Sequence, residues 1–222
     1  MEVSKLSGTA WLAYENGNAV LIDTGTQADG TAILRRINAL GLKVPLIFLT
    51  HTHYDHTGGV EAIRQATGAR VMAGEAECAY LRGGHTPVPK GTSPFSSVLS
   101  RVAHSLQSAE SREHYVPVSQ DIIEAGESGE LGETGWDAQY MHLGAHTAGS
   151  VGLRIGDYFF AGDTVFAIGN VIYPPFADMP EEIPGAWRKI IGSGAKYICP
   201  GHGRMIGVER LKKEYAKRFG LL

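Results

Sequence analysis

The stretch that decides the fold is Val44-Pro45-Leu46-Ile47-Phe48-Leu49-Thr50, which runs straight into His51-Thr52-His53-Tyr54-Asp55-His56 and closes on Thr57-Gly58-Gly59. An unbroken apolar run of this length suits a strand covered on both faces. The segment from His51 to His56 is chemically different. Three imidazoles and a carboxylate within six residues are the nitrogen and oxygen donors that borderline divalent metals prefer. In α/β folds, loops at the ends of sheet strands are where sites are built, so the strand is expected to deliver these side chains to a site.

Reading outward, Trp11 to Tyr14 and Asn18 to Asp23 form two strands joined by Glu15, Asn16 and Gly17, a hairpin-type connection. A helical pattern runs from Asp29 through Ile33, Leu34, Ile37 and Leu40 to the stop signal Gly41. Beyond the histidine cluster, Val60 to Ala66 predicts a helix ended by Gly68, and Ala69 to Ala73 a short strand. This alternation is α/β patterning. From about residue 82 to 120 the periodicity fades among Gly83, Gly84, Pro87, Pro89, Gly91 and Pro94, with a weakly helical piece near Val98 to Leu106; an insertion, either a lid or a passive excursion, is expected there. Strands resume near Ile122, at Gln139 to Leu143, Ser150 to Ile155 and Tyr158 to Ala161, with Gly156 and Asp157 as a hairpin turn. A helix around Pro184 to Ile191, a strand at Lys196 to Cys199 and a helix near Val208 to Phe219 finish the chain. The second half echoes the first in architecture without a sequence repeat.

The 222 residues suffice for one sizeable core, and one domain spanning 1–222 is expected. With 20 basic and 23 acidic side chains and no long block of either sign, nucleic acid is not expected as a partner. Cys78 and Cys199 stand alone, which indicates neither a disulfide framework nor a zinc ribbon. The first residues carry no secretory pattern and no apolar run is long enough to span a bilayer, so a cytoplasmic protein without membrane attachment is expected.

Three further metal-type residues lie where an expected strand runs out: His146 after Met141 to Leu143, Asp163 after Phe159 to Ala161, and His202 after Tyr197 to Cys199. Glycines accompany each of them. With these residues in this order the sequence resembles the metallo-β-lactamase fold superfamily, on His51, His53, Asp55, His56, His146, Asp163 and His202, supported by Asp23-Thr24-Gly25, Thr147, Gly149 and Pro200. The resemblance spans nearly the whole chain. It implies a four-layer αββα sandwich with two divalent metal ions at one edge, zinc first, iron or manganese as alternatives. His51, His53 and His146 would hold the first ion, Asp55, His56 and His202 the second, and Asp163 would bridge them. Two cations a few ångströms apart need such a shared anion, and a water between them loses its proton near neutral pH. Asp55 would then act as general acid/base and Asp23 would buttress the histidine loop from behind.

Departures from individual branches narrow the activity. The bridging aspartate and the absence of an export signal disfavour antibiotic hydrolysis. The chain has no room for the inserted domain of the nucleases or the flavin domain of the flavodiiron proteins. The run Phe159 to Phe166 resembles the glyoxalase II branch, but the helical glutathione-binding domain is missing and Ala167-Ile168-Gly169-Asn170-Val171 offers no basic residue. The expected function is therefore hydrolysis of a small ester, thioester or lactone by a metal-bridging hydroxide, on a small-molecule substrate; a sulfur dioxygenase using one iron and a phosphodiesterase of the same fold are the alternatives. Oligomeric state is left open. His85, His104, His114 and His142 read as ordinary solvated or hydrogen-bonded side chains, and Cys199 as a small buried strand residue. Tyr54, Trp136, Phe166, Tyr173 and Phe176 divide evenly between pocket walls and loop packing.

Overall fold

A computed structural model describes residues 1–92, 114–132 and 135–220. Six strands in sequence order make the first sheet: β1 (Glu2–Lys5), β2 (Trp11–Glu15), β3 (Asn18–Ile22), β4 (Lys43–Phe48), β5 (Arg70–Gly74) and β6 (Ile122–Ala125). Pairing is antiparallel from β1 to β3 and parallel from β3 to β6. The β2–β3 turn is Asn16-Gly17, both left-handed, which matches the twist of a tight hairpin. The second sheet holds β7 (Ser128–Glu130), β8 (Ala138–His142), β9 (Val151–Ile155), β10 (Tyr158–Ala167), β11 (Tyr197–Gly203) and β12 (Ile206–Gly207), again neighbour to neighbour, with β10 and β11 parallel.

Side-chain alternation along the strands builds three buried clusters. Ala19 and Leu21 of β3, and Ile47 of β4 with Leu49 just beyond it, turn outward to Ile33 and Ile37 of α1 (Gly30–Ala39) and to Val60 and Ile63 of α3 (Val60–Thr67). Val20, Ile22, Leu46 and Phe48 turn inward, meeting Val151, Leu153, Ile155 and Phe160 of the other sheet. Phe159 and Ala161 face Ile183, Trp187 and Ile190 of α5 (Ile183–Gly192) and Leu211 and Tyr215 of α6 (Val208–Phe219). Helix, sheet, sheet, helix is the expected four-layer αββα order. Two short α-helices complete the set among the described residues: α2 (Tyr54–Thr57) directly after the histidine loop, and α4 (Cys78–Gly83) after β5.

The structure departs from the sequence-based expectations in three places. The strands β1, β7 and β12 are additional to those expected; each lies at a sheet edge, where pairing on one side and partial exposure relax the need for an apolar pattern. The insertion expected from residue 82 starts in a helix, since α4 runs to Gly83. Asp163 and His202 do not sit in loops: β10 is ten residues long and β11 seven, His202 pairs with Phe166, and Asp163 lies in the irregular stretch between the Gly162 and Phe166 pairs. A bulge at a glycine with φ +51° explains this, because it breaks the two-residue alternation and looks like a turn in sequence. The weakly helical piece at 98–106, His104 and most of the expected lid lie outside the described residues.

Candidate metal centre

Strand β4 ends beneath the site, and three groups behind it orient the imidazoles. Asp23, at the end of β3 with a left-handed φ of +57°, is nearly fully buried. Its Oδ1 accepts from the Thr50 amide at 2.8 Å and its Oδ2 accepts from the Thr50 hydroxyl at 2.8 Å. The same Oδ2 lies 2.8 Å from His56 Nδ1. A carboxylate only accepts, so His56 carries a hydrogen on Nδ1 and turns its Nε2 inward. Thr50 has given its own hydrogen to Asp23, so its oxygen accepts from His51 Nδ1 at 3.1 Å and frees His51 Nε2 in the same way. The Phe176 carbonyl does this for His146, 3.0 Å from its Nδ1. Asp23 therefore lies where the resemblance put it. Such strained residues concentrate at functional sites, and Ala145, at φ +68° immediately before His146, is another.

All seven residues singled out in the sequence come together. His51, His53 and His146 offer ring nitrogens within 4.8 Å of one another; the donor atoms of His51, His56 and Asp163 are as close, and so are those of Asp55, His56 and His202. His53 Nδ1 stands 3.0 Å from His146 Nε2. With its Nδ1–H directed at the Phe176 carbonyl, His146 can accept at Nε2 from His53 Nδ1–H, or the two nitrogens can ligate a cation instead. Asp163 lies between the groups: its Oδ1 is 3.2 Å from His56 Nε2, and its Oδ2 is 3.5 Å from His202 Nε2 and 3.8 Å from His146 Nε2. Asp55 Oδ2 is 3.1 Å from His202 Nε2. Gly201 is required by this crowding, because a Cβ there would fall 1.9 Å from Asp163 Oδ1.

Protonation follows burial and neighbours. Burial and the adjacent imidazoles push His51 well below the usual histidine range, and His53 down to about 3. Burial opposes charge at His56 and His202 too, but the carboxylates win: Asp163, Asp23 and Asp55 hold His56 well above its ordinary value, and Asp163 with Asp55 raises His202 to about 9. Against burial, His56 and His202 hold Asp163 well below, and Asp55 below, the ordinary carboxylate range. One half of the centre thus carries protons that a bound cation would displace. The decisive fit is elsewhere. Nε2 of His51 and His53 are buried without a hydrogen-bond partner, whereas His56 Nε2 and Asp163 Oδ1, 3.2 Å apart, have only each other. Each such atom costs about 1–3 kcal/mol when left unmet. A nitrogen-rich donor set sharing one carboxylate suits a pair of borderline divalent ions.

Other sequence candidates separate cleanly. His142 Nε2 contacts the Ala148 carbonyl at 2.8 Å and belongs to no ligand group. His85 and His114 pair with each other through a backbone bridge and rings 4.7 Å apart. Cys199 is buried between the sheets. Of the aromatics, Phe166 lies 4.9 Å from the His202 ring and Phe176 supplies a carbonyl, while Tyr54, Trp136 and Tyr173 pack against the cores. Glu77 is the functional candidate that sequence reasoning misses. It ends a 3-10 turn and is buried, but in sequence nothing separates it from exposed Glu75.

The profile of the metallo-beta-lactamase superfamily matches residues 3–202, and the chain belongs to that family. A hydroxyacylglutathione hydrolase of Methylobacillus flagellatus is 41% identical over 81 residues, 36% of this chain and 30% of that enzyme. The Beta-lactamase-like protein 2 homolog of Drosophila melanogaster is 25% identical over 217 residues, 95% of this chain and 63% of that protein. The chain thus spans less than two thirds of these relatives. Among solved structures, an archaeal superfamily protein from Sulfolobus tokodaii superposes with a TM-score of 0.69 at 17% identity, covering 94% of this chain and 78% of that one. The BLEG-1 B3 metallo-beta-lactamase superposes with 0.69 at 19%, covering 95% and 94%. At these identities the likeness concerns the fold. Among the described residues, no helix is long and apolar enough to cross a membrane.

Proposed function

We propose that the chain is a metal-dependent hydrolase that binds two divalent cations, zinc by donor preference, and cleaves a small thioester, ester or lactone. The observation that carries this reading is the convergence of seven His and Asp side chains in three ligand groups, His51 with an unpartnered Nε2 among them, beside Asp55, whose side chain is 27% exposed. His51, His53 and His146 would hold one ion, Asp55, His56 and His202 the other, and Asp163 both. When bound, such a pair supplies a water acidified toward neutral pH and a Lewis acid for the carbonyl oxygen. Asp55, part-exposed beside His202, accepts the proton of the attacking water and returns it to the leaving sulfur or oxygen. The oxygen–carbon bond forms, the carbon–sulfur or carbon–oxygen bond breaks, and an acid and a thiol or alcohol leave.

Support for the acyl bond comes from the repeated hydroxyacylglutathione hydrolases among the relatives. Recognition of glutathione itself is not favoured. The hairpin after β10, with Ile168 and Val171 each about half exposed, has no cation of its own to meet a peptide carboxylate. The test combines metal quantification of protein purified without added metal with turnover of thioesters, lactones and phosphodiesters. Two equivalents of zinc with acyl-bond turnover are expected. One iron with oxygen consumption, or turnover confined to phosphodiesters, would replace the proposal by the alternative chemistry.

A further inference from the structure

We infer that Glu77 is a positioning residue that fastens together the two loops carrying His51, His53 and His146, and so sets the affinity of that half of the centre for its ion. The inference rests on the two-ion reading above but not on which bond is cleaved. Glu77 is 1% exposed and belongs to none of the ligand groups. Its Oε2 accepts from the Thr52 amide at 3.0 Å and from the Thr52 hydroxyl, and its Oε1 accepts from the Gly149 amide at 3.2 Å. Thr52 separates His51 from His53, and Gly149 lies three residues beyond His146. One carboxylate therefore bonds into both loops.

The chemistry of these contacts singles out a carboxylate. The Thr52 oxygen accepts from the Thr86 hydroxyl at 3.0 Å, so its own hydrogen goes to Glu77. Among the described residues Glu77 meets three donors and no acceptor, which suits a carboxylate, whose oxygens accept. Glutamine would turn an amide N–H toward one of them. The fit is also steric, since a Cβ on Gly149 would stand 2.6 Å from Glu77 Cγ and one on Gly74 2.0 Å from the Gly149 carbonyl. The strap joins the two loops whose ring nitrogens, His53 Nδ1 and His146 Nε2, lie 3.0 Å apart. It makes no bond to Asp55, His56 or His202.

The experiment is a zinc titration of metal-free protein against a competing chelator, with imidazole nitrogen spectra to show which histidines respond at each step. Glu77→Gln is expected to weaken the His51/His53/His146 step by about 10- to 100-fold, as loss of groups supporting ligands commonly does, and to leave the other step in place. Thr52→Val, which removes one donor of the three, should shift the same step by less and carries the test if the glutamine variant does not fold. A purely structural role would weaken both steps alike, and that result, or two unshifted steps, overturns the inference. If the unaltered protein takes up no zinc, it is the two-ion reading that fails instead.

Discussion

The two halves of the centre use similar donors in different surroundings. His51, His53 and His146 are all buried, and each loop that carries them is tied from behind by neutral or anionic acceptors. The other half pairs fully buried His56 with Asp55 and His202, whose side chains are each 27% exposed. A closed site resembles the way structural metals are held, whereas catalytic sites keep a side open for water and substrate. The contrast teaches that one fold edge has divided the labour. On the proposed two-ion reading, the enclosed half would hold its ion and the open half would leave room for proton transfer.

The sharpest way to break that division is at the open carboxylate. Asp55→Asn keeps the size of the side chain but removes its capacity to take a proton, so kcat should fall by about 10²- to 10⁴-fold, the usual contribution of a general acid/base. The measurement is made at full metal occupancy, verified by metal analysis. An unchanged kcat there would place the proton chemistry elsewhere and erase the functional difference between the halves. Asp23→Asn sharpens the comparison from the opposite side. Asp23 touches His56 directly and His51 through Thr50, so its loss should weaken both ions, by about 10- to 100-fold for the His56 half. Glu77→Gln is expected to weaken one only. Identical titration profiles for the two variants would mean that the halves are a single unit.

Much of this is legible in the sequence, for reasons that differ by residue. The apolar run before His51 marks a covered strand, and the seven donors stand out because imidazoles and carboxylates in glycine-flanked positions have little other use. The layered core is readable because β3 and β4 alternate side chains between two cores, as at Leu21 and Ile22. Edge strands such as β1 and β7 carry no such pattern, since solvent covers what a neighbour would. The extended course of β10 through Asp163 is hidden by Gly162, which reads as a turn and acts as a bulge. Glu77 is illegible for a deeper reason. Its role depends on Gly149 and Thr52 approaching it from distant segments, and local sequence carries no trace of that meeting.

A last and smaller effect concerns what holds the open half from the opposite sheet. Lys5 of β1 donates its ammonium to the Gly203 carbonyl, next to His202, and lies 4.8 Å over the Trp11 ring. Trp11 in turn donates its indole N–H to the Pro200 carbonyl at 2.9 Å. Burial pulls the Lys5 ammonium down from 10.5 to about 8, against the raising influence of nearby Cys199, Asp163 and Asp23. Between those two values the unfolded chain binds more protons at this position than the folded one, so stability contributed by Lys5 rises with pH across that window. Melting temperatures of metal-free protein at about pH 7.5 and about pH 10, on either side of most of that window, should therefore differ between Lys5→Met and the unaltered chain, the variant lacking part of the alkaline gain. Since other lysines and tyrosines titrate in both proteins, the difference between the two pH profiles is the quantity to read. Parallel profiles would show that the Gly203 carbonyl and the Trp11 ring stabilise the Lys5 ammonium as well as water does, leaving no cost of burial at this tether.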